Sequence, residues 1–452
     1  GSRWTASRRQ KQDSSTDVSV DGVTMNLIRE IWRSIVRRDP LSTDKGKSEL
    51  VFLNVWLHIH PAKVKKENIK FRYSFYLGFI TFFLFLILLT TGIALMFYYR
   101  PYPSVAYQDM KDLQFAVFMG PFLRNMHRWA AQAMVLCVFL HMCRVFYTGS
   151  YKKPRQFNWV IGVMLLLLTL GLSFTGYLLP WDQLAYWAIT VGTNIGSYAP
   201  LVGGRLRELL LGGHTVGEAA LIRFYVLHVA ILPSLVILLT IVHFWRVRKD
   251  GGLSRPLWKL KPRKTEALVT IGAPAEVAPL HVAAASPDKT YGLMEVVTGK
   301  PIFETVTPEE EEDTVFSYPY AFVREAVALM ATVTTVMTVS LFFNAPLEEM
   351  ANPAITPNPA KAPWYFLGLQ ELVSHSALLG GVVIPALMVI ALLAIPYMDR
   401  NPSRRPRDRK WALWVFTFFV VANVALIIIG TFFRGPGWAW VPPWVHVVAR
   451  PE

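Results

Sequence analysis

The stretch "HRWAAQAMVLCVFLH", residues 127–141, decides the fold because a histidine stands at each end of a largely apolar run. A buried imidazole costs free energy unless a partner satisfies it. Fourteen residues make about four turns of α-helix, so His127 and His141 lie on one helix face, roughly 21 Å apart along the axis. This spacing indicates two ligand sites at two depths of one helix.

A second apolar run repeats the pattern with His228 and His243, fifteen residues apart. Two facing imidazoles at each of two depths suit six-coordinate haem iron held between two helices. The alternative is that each histidine is a satisfied core residue, but this does not explain two matched spacings. The sequence therefore predicts two non-covalent haems, with His127/His228 and His141/His243 as axial ligands.

Two glycine pairs match the histidine spacing: Gly78 with Gly92, and Gly162 with Gly176, each fourteen residues apart. A flat porphyrin needs close approach of the backbone, which glycine permits. Glycines in membrane helices also serve ordinary helix packing, but the matched spacing favours a place beside a macrocycle.

Three arginines flank the predicted ligands, namely Arg128, Arg144 and Arg223. Each is a candidate partner for a haem propionate. Each is equally suited to anchoring a helix at the membrane interface.

The composition excludes an ordinary soluble protein, since 53% of the 452 residues are hydrophobic and the mean hydropathy is +0.34. Seven apolar runs are long enough to cross a bilayer. They are residues 74–99, 124–148, 157–179, 221–246, 320–343, 378–397 and 411–433. The predicted fold class is an all-α membrane protein, with a four-helix haem-binding transmembrane bundle followed by three further transmembrane helices.

The net charge of +15 is concentrated in short stretches between the apolar runs. This distribution indicates positive-inside topology, whereas a nucleic-acid-binding protein carries its charge as a patch on a folded face. The N-terminus and the basic loops are predicted on the n-side of the membrane, which is the cytoplasm, matrix or stroma, and the C-terminus on the opposite p-side. Four regions result: an n-side segment (1–70), a di-haem domain (71–250), an n-side linker (251–318) and a three-helix domain (319–452).

The segment "GYLLPWDQLAYWAITVGTNIGSYAPLVG", residues 176–203, follows the third apolar run. It is aromatic and amphipathic and carries a Pro-Trp break. It predicts short interfacial helices that cover the p-side haem and form a wall for a hydrophobic ligand.

These residues resemble cytochrome b of the quinol-oxidising cytochrome bc and b6f complexes over about residues 71–250. Residues 319–433 are similar to the three-helix subunit IV of the b6f branch, fused here to the first half. The motifs are "TGIALMFYYRP" (91–101), "MHRWAAQAMV" (126–135), "YKKPRQFNWVIGV" (151–163), "GYLLPWDQLAYWA" (176–188), "RFYVLHVAILP" (223–233) and "TPNPAKAPWYFLGLQEL" (356–372).

The resemblance implies an enzyme subunit of a bacterial inner membrane that oxidises quinol at the p-side, between residues 182–198 and the "PWYF" motif. One electron would go to a Rieske iron–sulfur protein and on to a c-type cytochrome. The other would pass from the His127/His228 haem to the His141/His243 haem and reduce quinone at the n-side, with proton translocation. The family also implies a homodimeric complex.

Two departures from the family pattern stand out. The motif normally reads Pro-Glu-Trp-Tyr, and its Glu accepts a quinol proton, but here Ala362 and Pro363 precede Trp364 and Tyr365. We hypothesise that Glu371, two helical turns downstream, supplies the carboxylate with a raised pKa, and that Asp182 is the second candidate. The b6f branch also binds a further haem through a cysteine where this chain has Tyr76, so no covalent haem is expected.

A different function class shares the four histidines: a di-haem membrane anchor that passes electrons between a dehydrogenase and quinone. It requires neither the "PWDQ" segment nor the three-helix second half. His58 and His60, ahead of the first apolar run, either approach the quinone-reducing site or anchor the entry segment.

Overall fold

The computed structural model describes residues 44–54, 57–250, 252–253 and 314–445. Most of the predicted N-terminal segment and of the linker therefore lies outside the described residues. The chain divides into two compact units, residues 1–58 and 59–452. In the first unit, helix α1 (Asp44–Leu53) is described, and the Nδ1 atom of His58 lies 2.9 Å from the carbonyl oxygen of Phe52.

Within the described residues of the second unit, seven helices are long and apolar enough to cross a membrane, which confirms the predicted number and order. Their bounds agree with the predicted runs to within a few residues. They are α3 (Leu77–Met96), α5 (Gly120–Tyr147), α6 (Gln156–Tyr177), α9 (Glu218–Lys249), α10 (Ser317–Phe342), α12 (Leu379–Met398) and α13 (Lys410–Phe432).

Shorter elements connect these helices. They are α2 (Phe71–Ser74), α4 (Ala106–Phe115), α7 (Gln183–Ser197), α8 (Gly203–Leu211) and α11 (Trp364–His375), with strands β1 (Lys63–Lys65) and β2 (Thr314–Phe316). The strands pair antiparallel, with Lys63 opposite Phe316. Helix α7 lies within the segment predicted to form short helices after the Pro-Trp break, and α8 follows that segment. Helix α11 begins directly after Pro363.

The two halves of the chain pack against each other within this unit. Helix α10 contacts α3 and α5, and α12 contacts α6. A core cluster at this junction includes Leu84 from α3, Met134 from α5, Val236 from α9 and Val336 from α10. Other apolar side chains are exposed on the outside of the bundle. Phe418 of α13, for example, is 74% exposed. Apolar side chains on the outer face of a membrane bundle find an apolar partner in lipid.

His60 anchors the entry segment to the second half of the chain. Its Nε2 atom lies 2.9 Å from a carboxylate oxygen of Glu325 in α10, and its ring stacks on Phe79 of α3 at 5.8 Å. The side chains of His60 and Glu325 are both nearly buried. The contact ties the region before α3 to the start of α10.

Candidate functional site

The four histidines lie at two levels of the bundle formed by α3, α5, α6 and α9. At the first level, the ring centres of His127 and His228 are 6.2 Å apart. Metal–imidazole bonds are about 2 Å long, so one ion between two imidazoles sets the ring centres roughly 6 Å apart. The observed separation fits a single metal held between the two rings.

Threonine hydroxyls orient both rings of this level. The Oγ1 atom of Thr91 lies 2.9 Å from Nδ1 of His127, and that of Thr175 lies 3.2 Å from Nδ1 of His228. A hydrogen bond at one ring nitrogen fixes the ring orientation and leaves the other nitrogen for a metal. A π-helical turn, Leu227–Ile231, carries His228, and such turns are frequent at functional sites.

The second level contains His141 of α5 and His243 of α9. Phe244, next to His243, stacks on Phe79 at 6.3 Å, which brings α9 beside α3 at this depth. The Nδ1 atom of His243 is buried and has no hydrogen-bond partner among the described residues. A buried polar atom of this kind calls for a ligand or an ordered water.

Each predicted glycine faces one predicted ligand. A Cβ atom built on Gly78 would lie 3.1 Å from Cε1 of His141, and one on Gly92 would lie 3.2 Å from Cε1 of His127. The corresponding distances are 3.7 Å for Gly162 and His243, and 2.5 Å for Gly176 and His228. Gly78, Gly92 and Gly176 are thus close-approach positions, whereas the distance at Gly162 is ordinary van der Waals contact. The ring pairs and these glycines fit a planar cofactor such as haem.

The three candidate arginines differ in their surroundings. Arg128 lies over the ring of Tyr177 at 5.6 Å, and Arg144 over the ring of Tyr73 at 4.6 Å. One terminal nitrogen of Arg144 is buried and has no partner among the described residues, which suits an anionic group there. Arg223 instead donates a 2.6 Å hydrogen bond to the carbonyl of Leu209. This contact lies at the end of α8, and the propionate role of Arg223 stays a prediction.

A cavity of about 390 Å³ extends from the His127 level to loops of both halves of the chain. Its wall includes His127, His228, Gly92, Gly176, Arg124, Arg128, Asp182, Glu348, Lys361, Ala362, Pro363 and Tyr365. The structure therefore brings together the first histidine pair, the "PWDQ" segment and the "PWYF" motif. Trp364 is not among the lining residues, and its indole donates to Gln132 at 2.7 Å.

Sequence reasoning missed three charged residues of this wall, namely Arg124, Glu348 and Lys361. Arg124 stands three residues before His127, which places both on one helix face, so its spacing is a usable signal. Glu348 and Lys361 lie in irregular loops of the second half. No periodicity assigns loop side chains to a cavity, so the sequence carried no comparable signal for them.

The structure corrects the prediction for Glu371. Its side chain is 3% exposed and does not face solvent, and it is not among the cavity-lining residues. Arg434 donates from two nitrogens to the carboxylate, one at 2.9 Å, and Trp438 donates at 3.0 Å. The Arg434 bond lowers the pKa of Glu371, so the expectation of a raised pKa is wrong. The carboxylate ties α11 to the segment after α13.

Replacing Glu371 by Gln is expected to destabilise the protein by about 3 kcal/mol, because breaking a buried ion pair leaves the partner charge uncompensated. The pKa of Glu371 in the folded state lies below its ordinary value. The ion pair therefore stabilises the protein fully at a pH above the ordinary pKa, and this stabilisation is lost as the pH falls through the lowered pKa. Thermal unfolding between pH 7 and pH 3 measures this effect. The exposed Glu349→Gln variant is the control, and equal unfolding temperatures for both variants would contradict the structural role.

Two family models match the chain. The model described as "Cytochrome b/b6/petB" matches residues 62–251, and "Cytochrome b(C-terminal)/b6/petD" matches residues 350–449. The chain is 45% identical to cytochrome b6 of Heliobacterium modesticaldum over 199 residues, which are 44% of this chain and 91% of that protein. It is 46% identical to cytochrome b6 of Euglena gracilis over 181 residues, 40% of this chain and 84% of that protein.

A solved structure, "Hyperthermophilic respiratory Complex III", aligns with a TM-score of 0.64 at 24% identity and covers 91% of each chain. This match supports the fold across both halves. The two family models match separate parts of the chain, one before and one after residues 252–349. The chain belongs to the cytochrome b family, with a cytochrome b6-like half and a subunit IV-like half in one polypeptide.

Proposed function

We propose that this cytochrome b-type subunit oxidises quinol in the cavity beside His127 and His228. The cavity joins this histidine pair to Asp182 from the first half and to Pro363 and Tyr365 from the second. This union of both halves around one apolar cavity is the observation that carries the proposal. A quinol ring needs an apolar chamber with a few polar groups to orient it.

His127/His228 and His141/His243 would hold two haem b groups, which would supply reversible one-electron redox chemistry when bound. The threonine contacts fix the rings of the first pair, and the glycines at both levels leave room beside the imidazoles. The two levels would connect the cavity to a quinone site at the His141 level, with the reaction coupled to proton translocation. No covalent haem is expected at Tyr76.

The proposed complex includes a Rieske iron–sulfur protein and a c-type cytochrome, and it is a dimer in a bacterial inner membrane. A two-electron donor that meets a one-electron acceptor at the cavity must send its second electron elsewhere, and the His127 level is beside it. The di-haem anchor remains the alternative function. No feature of the described cavity favours it, because the anchor does not require the second half of the chain.

Visible spectra of the purified complex test the function. Short-chain benzoquinol or naphthoquinol is expected to reduce the haems, and a pulse of oxidant to the c-type cytochrome should transiently increase haem reduction. This increase follows only if the two electrons of quinol take different paths. Oxidant that merely reoxidises the haems would favour the di-haem anchor, and haems that neither quinol reduces would overturn the proposed quinol oxidation.

The His127 level is assigned to the p-side and the N-terminus to the cytoplasm, on the positive-inside distribution of Lys and Arg. We expect cysteines placed at Arg405, between α12 and α13, and at the exposed Trp444, after α13, to react with an impermeant maleimide from opposite sides. The unaltered chain, with Cys137 and Cys143 in α5, gives the background. Labelling of both positions from one side would refute this topology.

A further inference from the structure

The cavity lacks the carboxylate that the family motif places beside the quinol. Ala362 and Pro363 line the wall at this motif, and Glu371 is held by Arg434 outside it. A quinol that gives up its electrons also releases protons, which need an acceptor within hydrogen-bond reach or one water away. Among the described residues, the carboxylates that line the cavity belong to Asp182 and Glu348.

Glu348 lies on a segment, residues 344–352, that connects the second half of the chain to the cavity. Arg124 fixes this segment by donating to the carbonyls of Ala345 at 2.7 Å and Pro346 at 2.6 Å. Asn125 accepts a 2.7 Å hydrogen bond from the amide of Ala345. The segment is therefore held to α5 within a turn of His127.

Asp182 of the first half also holds the segment 344–352. Its carboxylate accepts hydrogen bonds from the backbone amides of Ala185 at 2.9 Å and Glu348 at 3.2 Å. The hydroxyl of Tyr107 donates to the carbonyl of Glu348 at 2.9 Å. These contacts use the backbone of Glu348, and the described residues give its carboxylate no hydrogen bond or ion pair. The backbone of Glu348 is thus held in place, while its carboxylate stays available to a ligand in the cavity.

The side chain of Glu348 lines the cavity and is also exposed. It therefore has access both to a bound ligand and to water outside the cavity. Arg124, Arg128 and Lys361 line the same cavity. Tyr177 and Tyr365 also line the cavity.

We propose that Glu348 accepts a proton from quinol and passes it to water at the mouth of the cavity, with Asp182 as the positioning residue that holds its backbone. The inference rests on the proposed function of the cavity. One quinol O–H bond breaks and one carboxylic O–H bond forms, while the electron leaves to the iron–sulfur protein proposed above. The carboxylic acid then releases the proton to water, which restores the carboxylate.

The main competitor is Asp182 itself, because burial raises its pKa. Its two oxygens already accept backbone hydrogen bonds, and protonation would weaken the contacts that hold α7 and Glu348. Asp182 is also buried, so a proton taken there would need a further carrier to reach water. Glu348 needs no such carrier.

The test measures quinol-driven haem reduction by stopped-flow in the whole purified complex, with short-chain benzoquinol and naphthoquinol as probes. Glu348→Gln is expected to lower kcat on the order of 100-fold, the usual range for a lost general base. The KM for quinol should stay within about two-fold, since the loss acts on the reacting state. Glu348→Asp should recover part of the rate. Glu349→Gln is the matched control, since its side chain is exposed and is not among the lining residues.

Unchanged haem spectra and unfolding temperature in Glu348→Gln exclude misfolding as the cause of a slow rate. Equal rates for Glu348→Gln and Glu349→Gln would overturn the inference, and a large loss in Asp182→Asn alone would transfer the role to Asp182. If the unaltered complex shows no haem reduction by either quinol, the proposed function itself fails. The two failures are therefore distinguishable.

Discussion

Replacing His243 by Ala is expected to halve the haem content of the purified protein. His243 is one of two imidazoles at its level, and its buried Nδ1 atom has no partner among the described residues. Loss of one axial ligand removes the bis-histidine site of that level. The His127–His228 level uses separate residues, with ring centres 6.2 Å apart, and should keep its haem.

Haem extraction and redox-titrated visible spectra measure this result, which should show the loss of one of two spectral components. The matched control is His214→Ala, which removes an exposed histidine of the loop before α9. His228→Ala should remove the other component. Retention of both components in His243→Ala would show that the pairing of ligands is wrong.

Gly176→Ala is expected to displace His228 and to remove the haem of the His127 level. A Cβ atom at this position would lie 2.5 Å from Cε1 of His228 and 3.1 Å from its Nδ1. Contacts this short are repulsive in a close-packed interior, so the ring must move. Movement of His228 also breaks its contact with Thr175, which orients the imidazole.

The control is Gly171→Ala in the same helix, where the nearest neighbour of a Cβ atom is a methyl group of Leu232 at 3.7 Å. That distance is ordinary van der Waals contact, so haem content should stay unchanged. Haem stoichiometry and redox-titrated visible spectra distinguish the two variants. A normal haem complement in Gly176→Ala would show that α6 moves away from the ligand at little cost.

The sequence determined those features that depend on one helix at a time. Length and hydropathy located the seven membrane helices, because a bilayer sets the length of an apolar run. The spacing of His127 and His141 follows from the helical repeat alone. The matched spacing of the glycines also predicted that they lie at the two histidine levels, since all α-helices have the same rise per residue.

Tertiary structure alone decided which charged side chains reach the cavity. Glu371 has the sequence position of a replacement carboxylate, yet Arg434, 63 residues later, binds it outside the cavity. Glu348 lies outside any motif, but Arg124 and Asp182 from the first half hold its segment against the cavity. These are contacts between residues far apart in the chain, and no local periodicity encodes them. A carboxylate acts as a base or as an ion-pair partner according to the groups that folding places around it.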